Sequence, residues 1–112
     1  QRDSRDHTAF TLQIALSYGG RDEIVHAINA LIREGKDPVT EADVSARLYS
    51  PDVPDPDLIV RTGGEVRTSN FLLWQSAYAE YVFLDTLWPD LTKRKLKAVV
   101  DEFYSRRRRF GE

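Results

Sequence analysis

Two arginines and a serine stand close together in the sequence, beside a pair of glycines. Arg61 ends a short apolar segment, Gly63 and Gly64 follow it, and Arg67 and Ser69 come soon afterwards. A planar guanidinium group can bind phosphate oxygens through two parallel hydrogen bonds, and a hydroxyl group can add another. Glycines allow a turn that brings backbone N–H groups close to a ligand. These residue types in this order predict an anion site that suits a diphosphate.

Each of these features also has a purely structural interpretation. An arginine at a strand end often makes a surface ion pair, and adjacent glycines are common in turns. Glu65 could simply pair with Arg67. Because the features occur together at one strand end, we favour the anion site.

The surrounding segments predict the elements that would position these residues. Residues 57–61 form a short apolar strand, residues 70–78 have helical spacing, and residues 81–84 favour a second strand. Ligands of open α/β sheets bind outside the carboxyl ends of strands. A helix that begins near Ser69 and Asn70 would add unpaired N–H groups and a partial positive charge.

The rest of the chain predicts further elements of the same kind. They are a buried strand over residues 11–18, an amphipathic helix over 21–34, a shorter helix from Thr40 to about 49, a loop over 50–56 and a helix over 92–110. This order predicts an α/β fold, a partial parallel sheet with flanking helices. Three short strands are few for such a sheet, so we expect that a substantial N-terminal part is missing.

Composition limits the protein class. The chain has 112 residues, of which 41% are hydrophobic and 30% charged, and this predicts one soluble globular domain. No apolar run approaches the roughly 20 residues that a membrane-spanning helix needs. The chain has no cysteine, which excludes a disulfide framework and a thiolate metal site and is compatible with a cytoplasmic location.

Charge is unevenly distributed along the chain. Eight of the 16 basic residues but only two of the 18 acidic residues lie within residues 93–109, although the net charge is -2. This pattern predicts a local anion partner, a subunit contact or a solvated face rather than general nucleic-acid affinity. The four arginines at 106–109 could alternatively bind RNA or an anionic membrane surface. We expect no nucleic-acid partner and at most peripheral contact with the inner face of a membrane.

Two stretches resemble the signatures of the cis-prenyltransferases, the undecaprenyl/polyprenyl diphosphate synthase family. Residues 57–90, DLIVRTGGEVRTSNFLLWQSAYAEYVFLDTLWPD, are similar to its long R-T-G-G-E-x-R-x-S-N-F-L-L-W-Q signature. Residues 14–24, IALSYGGRDEI, resemble the motif around N-Y-G-G-R-x-E-I, with Ser17 where asparagine is frequent. The resemblance covers nearly the whole chain but implies only the C-terminal half of the family's fold. Residues 1–112 would then be the C-terminal portion of a single cis-prenyltransferase domain whose N-terminal half is absent.

The resemblance implies a role for individual residues. Arg61, Arg67 and Ser69 would bind the diphosphate of isopentenyl diphosphate, and Glu80 would be linked to Mg2+. The supporting positions of the signature are Gly64, Glu65, Asn70 and Trp74, with Glu65 orienting an arginine rather than taking part in catalysis. Arg109 and Gly111 match a tail motif that can reach the site of a neighbouring subunit.

The resemblance also implies what this chain lacks. The intact enzyme condenses isopentenyl diphosphate with an allylic prenyl diphosphate to make a long-chain polyprenyl diphosphate. The family's D-G-N-R-R motif, which serves the allylic diphosphate, has no match here, so no catalytic residue is expected in this half and the chain is expected to be inactive alone. Val66 stands where histidine or glutamine is frequent, so a polar contact from that position is missing.

Two other functions stay open at this point, together with a prediction about assembly. The chain could belong to a non-catalytic partner subunit of a two-component prenyltransferase, although Arg61, Arg67, Ser69 and Glu80 argue for a catalytic parent. It could also be a small anion- or RNA-binding domain built on the last helix. We expect a homodimer, because the aromatic residues of segment 71–88 exceed what three strands can bury and the family dimerises through this half.

Overall fold

The computed structural model describes residues 9 to 106, which form three α-helices and two β-strands. Their order is α1 (Gly20–Arg33), α2 (Glu41–Ser45), β1 (Leu58–Arg61), β2 (Glu80–Phe83) and α3 (Lys93–Ser105), with a short 3-10 helix at Trp88–Asp90 before α3. The predicted tail residues Arg109 and Gly111 lie outside the described residues. No helix within residues 9–106 is long and apolar enough to cross a membrane.

Strands β1 and β2 form a parallel pair, as the sequence predicted. Leu58 pairs with Glu80 and Arg61 pairs with Phe83, so the two strands end at the same edge. Parallel neighbours need a crossover connection, which is usually a helix. Here the connecting residues 62–79 make turns and bends instead.

The described core lies between α1 and α2. Ala27 and Leu31 of α1 pack with Val44 and Leu48, and Trp74 from the connection packs against them. Helix α2 begins with a capping box, in which the Thr40 hydroxyl accepts a hydrogen bond from the Asp43 N–H at 3.2 Å. The predicted Thr40 cap is therefore confirmed, although α2 ends at Ser45 and only turns follow it.

The predicted strand over residues 11–18 is wrong in this structure. The segment pairs with no described strand, and Leu12, Ile14 and Leu16 are 76%, 77% and 83% exposed. Alternating apolar residues specify a face that can be buried, but a strand also needs a neighbour that accepts its backbone hydrogen bonds. The described sheet consequently has two strands instead of three.

The predicted helix over residues 70–78 is also wrong. Ser69, Asn70 and Leu72 have φ values of 48°, 66° and 48°, which a right-handed helix cannot contain. The helical spacing of Phe71, Leu72 and Trp74 did not predict this backbone conformation, because contacts with α1 that are described below set it. Phe71 is 42% exposed. The elements predicted at 21–34, 57–61 and 81–84 and the loop over 50–56 are confirmed. The helix predicted over 92–110 is observed as α3, which has Thr92 as its N-cap and ends at Ser105; residues 107–110 lie outside the described residues.

The core arrangement predicts the effect of truncating Leu31, which is 1% exposed. Leu31→Ala should lower the free energy of unfolding by about 2–5 kcal/mol, because it removes buried methyl groups and leaves a cavity. Urea unfolding followed by circular dichroism measures this change. The neighbouring Ile32 is 68% exposed, so Ile32→Ala is the matched control and should cost less than about 1 kcal/mol. Equal losses for the two variants would contradict the arrangement of the core.

Candidate anion-binding site

Arg61 ends β1 and lies at the centre of a hydrogen-bonded group of side chains. One terminal nitrogen, Nη1, donates to the Ser69 hydroxyl at 2.8 Å and to the Arg67 carbonyl oxygen at 2.6 Å. The other, Nη2, donates to Glu65 Oε2 at 2.8 Å. The side chain is 27% exposed, so it is partly sheltered but accessible from solvent. The structure thus brings together three residues that the sequence placed in one site.

The Glu65 carboxylate accepts hydrogen bonds from both Arg61 and Arg67. Arg67 donates to its two oxygens, from Nη2 to Oε1 at 2.5 Å and from Nε to Oε2 at 3.1 Å. The hydrogen bond from Arg67 and the charge of that residue lower the pKa of the Glu65 carboxyl, and Arg61 adds to the effect. The same contact raises the pKa of Arg67. The three side chains carry one net positive charge, and the carboxylate orients both guanidinium groups.

A cavity of about 300 Å³ opens beside this group. Arg61, Arg67 and Ser69 line it, together with apolar residues that include Ile59, Phe71, Tyr81 and Phe83. The Tyr81 and Phe83 rings stack with centroids 5.8 Å apart, because alternate residues of β2 share a face. A cavity lined by both cationic and apolar side chains suits a ligand with an anionic head and a hydrocarbon body.

Gly63 and Gly64 serve the turn after β1 rather than a ligand. Their φ values are +98° and +80°, which residues with a side chain adopt at a cost. The Gly63 N–H donates to the Thr86 carbonyl and the Gly64 N–H to the Leu84 carbonyl, both at 2.9 Å. The prediction that these glycines bring N–H groups to a ligand is therefore wrong for their own two amides.

The expected helix start at Ser69 and Asn70 does not exist, so no helix dipole acts there. Asn70 instead contacts the N-terminus of α1, where its Oδ1 accepts a hydrogen bond from the Arg21 N–H at 2.9 Å. Trp74 is not among the residues that line the cavity, and its indole N–H donates to the Ser45 hydroxyl at 2.9 Å. Both residues connect the 62–79 segment to the core.

Glu80 begins β2 and is adjacent to Tyr81, but it is not itself among the residues that line the cavity. Arg61 pairs with Phe83, three residues beyond Glu80, which corresponds to about 10 Å along the sheet. The Glu80 carboxylate is 3.6 Å from Nη1 of Arg106, the residue that follows α3. Within residues 9–106 no group of three or more histidine, cysteine, aspartate or glutamate side chains could hold a metal ion.

Sequence reasoning missed two features of this region. Tyr81 and Phe83 were interpreted as core or subunit interface, yet they line the cavity. Their alternation in a strand next to Arg61 was the available signal. Arg106 was seen only as part of a basic run, and no sequence pattern indicated that it pairs with Glu80.

Comparison with known proteins gives a consistent result. Residues 1–111 match the family described as "Putative undecaprenyl diphosphate synthase". An isoprenyl transferase of Fusobacterium nucleatum is 47% identical over 99% of this chain, and a decaprenyl diphosphate synthase of Mycolicibacterium smegmatis is 49% identical over 95%. The crystal structure of a probable undecaprenyl diphosphate synthase from Campylobacter jejuni has 45% identity over 88% of this chain, with a TM-score of 0.79.

The chain spans less than half the length of these relatives. The matched regions are 48% of the Fusobacterium protein, 38% of the Mycolicibacterium protein and 46% of the Campylobacter chain.

The ion pairs of Glu65 predict its titration. Because folding lowers the pKa of this carboxyl, its contribution to stability is present above about pH 4.3, the ordinary value for glutamate, and is lost as the pH falls through the lowered pKa. A 13C NMR titration of the carboxyl carbon should therefore show a midpoint below about 4.3. Arg67→Ala should raise this midpoint more than Arg61→Ala, and Arg33→Ala should leave it unchanged. An ordinary midpoint in the unsubstituted chain would show that the pairs do not persist in solution.

Proposed function

The chain belongs to the undecaprenyl diphosphate synthase family, and we propose that it carries the isopentenyl-diphosphate site of a prenyltransferase. One observation carries this proposal: Arg61, Arg67 and Ser69 line the same cavity as the aromatic side chains of Phe71, Tyr81 and Phe83. Isopentenyl diphosphate has this polarity, since a diphosphate is joined to a five-carbon hydrocarbon group. The guanidinium groups and the hydroxyl would hold the diphosphate oxygens, and the Tyr81–Phe83 face would contact the hydrocarbon.

The complete protein would condense isopentenyl diphosphate with an allylic diphosphate. The electron pair of the isopentenyl double bond attacks the allylic carbon, and the allylic diphosphate leaves with the electrons of the broken C–O bond. Loss of a proton, to the departing diphosphate or to water, forms the new cis double bond. Arg61, Arg67 and Ser69 would keep the acceptor diphosphate in place throughout, because that group is not released in this reaction. The product would be a long-chain polyprenyl diphosphate.

We also propose that Glu80 contributes to a magnesium site. Mg2+ commonly uses one or two carboxylates and completes its shell with substrate phosphate oxygens and water, so a single carboxylate fits this pattern. Glu80 forms an ion pair with Arg106 in this structure, and a bound metal ion would have to displace the Arg106 guanidinium group. Bound there, magnesium would neutralise negative charge on the diphosphate groups.

Binding of isopentenyl diphosphate tests the site directly. Isothermal titration of the 112-residue chain should show binding, and Arg61→Ala should weaken it by about 10- to 100-fold, because charge-assisted hydrogen bonds are lost. The affinity of Arg61→Lys should lie between those of Arg61→Ala and the unsubstituted chain, since lysine keeps the positive charge but not the planar guanidinium group. Arg33→Ala, at the far end of α1, is the matched control and should bind normally.

Two results would contradict this proposal. If Arg61→Ala and the unsubstituted chain bound isopentenyl diphosphate with equal affinity, the proposed site would be wrong. Tight binding of a short RNA with an affinity that Arg61→Ala does not change would favour an RNA-binding domain.

The unsubstituted 112-residue chain, supplied with isopentenyl diphosphate, an allylic diphosphate and magnesium, should make no polyprenyl product, because the D-G-N-R-R motif is not in it.

A homodimer is the assembly that we propose. Leu87, Trp88 and Tyr104, near and on α3, are 59%, 73% and 78% exposed. Apolar side chains of this size favour burial against a partner surface. Sedimentation equilibrium should give the mass of a dimer, and Trp88→Ser should raise its dissociation constant while Ile32→Ser, on α1, should not. A monomer at high concentration would contradict the proposal.

A further inference from the structure

Ser69 belongs to a segment that has no regular secondary structure to hold it. Ser69, Asn70 and Leu72 all have positive φ values. Residues with a side chain keep such conformations only when their surroundings impose them. The Ser69 hydroxyl nevertheless accepts its hydrogen bond from Arg61 at 2.8 Å. Contacts outside the site must therefore impose the backbone on which this hydrogen bond depends.

The N-terminus of α1 supplies these contacts. The first N–H groups of a helix lack partners within the helix, and the N-cap residue Gly19 has no side chain to offer. Asn70 satisfies two of them: its carbonyl oxygen accepts from the Gly20 N–H at 2.7 Å, and its Oδ1 accepts from the Arg21 N–H at 2.9 Å. Asn70 thus caps a helix that lies 49 residues earlier in the chain.

Asn70 can lie against the start of α1 because Gly19 and Gly20 carry no side chains. A Cβ on Gly19 would lie 2.9 Å from Asn70 Nδ2. A Cβ on Gly20 would lie 2.8 Å from Leu73 Cγ and 3.0 Å from the Asn70 carbonyl oxygen. Distances this short require the neighbouring atoms to move, and at Gly20 they include backbone. The fit of α1 against Asn70 therefore depends on the absence of side chains at both positions.

A second contact ties the same segment to the first turn of α1. Glu23 is 3% exposed, and its Oε1 accepts hydrogen bonds from Gln75 Nε2 at 3.0 Å and from the Tyr18 hydroxyl. Its Oε2 accepts from the Tyr49 N–H at 3.0 Å. Helix α1 therefore holds the segment on both sides of Leu72, at Asn70 and at Gln75.

We propose that the N-terminus of α1, acting through Asn70, positions Ser69 and Arg61 for diphosphate binding. The hydrogen bonds run from the Gly20 and Arg21 amides to Asn70, whose neighbour Ser69 binds Arg61. Asn70 and Gly20 are positioning residues: neither lines the cavity, and each acts on the ligand through Ser69. The identity of the ligand in this inference rests on the proposed function. The hydrogen-bonded path from α1 through Asn70 to Arg61 does not depend on it.

Substitution of Asn70 tests the proposal. Asn70→Ala removes the Oδ1 acceptor and should weaken binding of isopentenyl diphosphate to the 112-residue chain about tenfold in isothermal titration. The matched control is Thr40→Ala, which also removes a helix cap, that of α2, but touches no cavity residue. Thr40→Ala should destabilise the chain and leave the affinity unchanged. Equal affinity in Asn70→Ala and Thr40→Ala would overturn the proposal.

The other side of the contact gives an independent pair of variants. Gly20→Ala places a methyl group against Leu73 and Asn70 and should weaken binding in the same way. Gly35→Ala introduces the same methyl group where no atom lies within 4 Å, at a φ of +68° that is itself unfavourable for alanine. It should bind isopentenyl diphosphate normally despite lower stability. Normal binding by Gly20→Ala would contradict the role of the α1 N-terminus.

A spectroscopic measurement separates this proposal from the proposed function. In the ligand-free chain, the Arg61 guanidinium protons should exchange slowly with water and should exchange faster in Asn70→Ala but not in Thr40→Ala. Unchanged exchange in Asn70→Ala would overturn the positioning role even if Arg61→Ala abolished binding. Conversely, faster exchange with no binding of isopentenyl diphosphate by any variant would refute only the proposed ligand.

A milder variant decides the question if Asn70→Ala does not fold. Asn70→Gly keeps the left-handed backbone and the carbonyl acceptor and loses only the side-chain cap. It should bind isopentenyl diphosphate more weakly than the unsubstituted chain and show faster exchange of the Arg61 protons. Unchanged values for both measurements would overturn the proposal.

Discussion

The docking of Asn70 on the N-terminus of α1 determines the shape of the connection between β1 and β2. Parallel strands require such a connection, and a helix is the usual solution. Here the connection takes left-handed conformations at Ser69, Asn70 and Leu72, which would be unfavourable in isolation. Two backbone N–H groups of α1, which need partners in any case, offset this cost. Asn70, together with Trp74 and Gln75, thereby joins the strand pair to the helix core.

The charge of the site depends on Glu65, which binds both arginines. Arg61 and Arg67 would repel each other if they were alone, and the Glu65 carboxylate between them removes that repulsion and orients both. A single net positive charge remains beside the Ser69 hydroxyl. An anionic ligand thus meets guanidinium groups that already have partners and a fixed geometry, so little side-chain ordering is needed when it binds.

Local patterns were sufficient for several elements. Helix α1, the Thr40 cap and strands β1 and β2 were predictable, because periodicity and capping depend on residues that are neighbours in sequence. Residues 11–18 and 70–78 were not. Their apolar spacing indicates which side chains can be buried, but it does not specify the partner that completes a strand or the contacts that impose a left-handed backbone.

The sequence by itself determined the chemistry of the candidate site, since Arg61 ends a short apolar segment and Arg67 and Ser69 follow it in an order typical of anion binding. Only the tertiary structure decided how these groups meet. The hydrogen bonds of Asn70 to α1 and the pairing of Phe83 with Arg61 join segments that are distant in the chain. The same holds for the pairing of Glu80 with Arg106. No local pattern encodes such contacts, because each one depends on the packing of two separately formed elements.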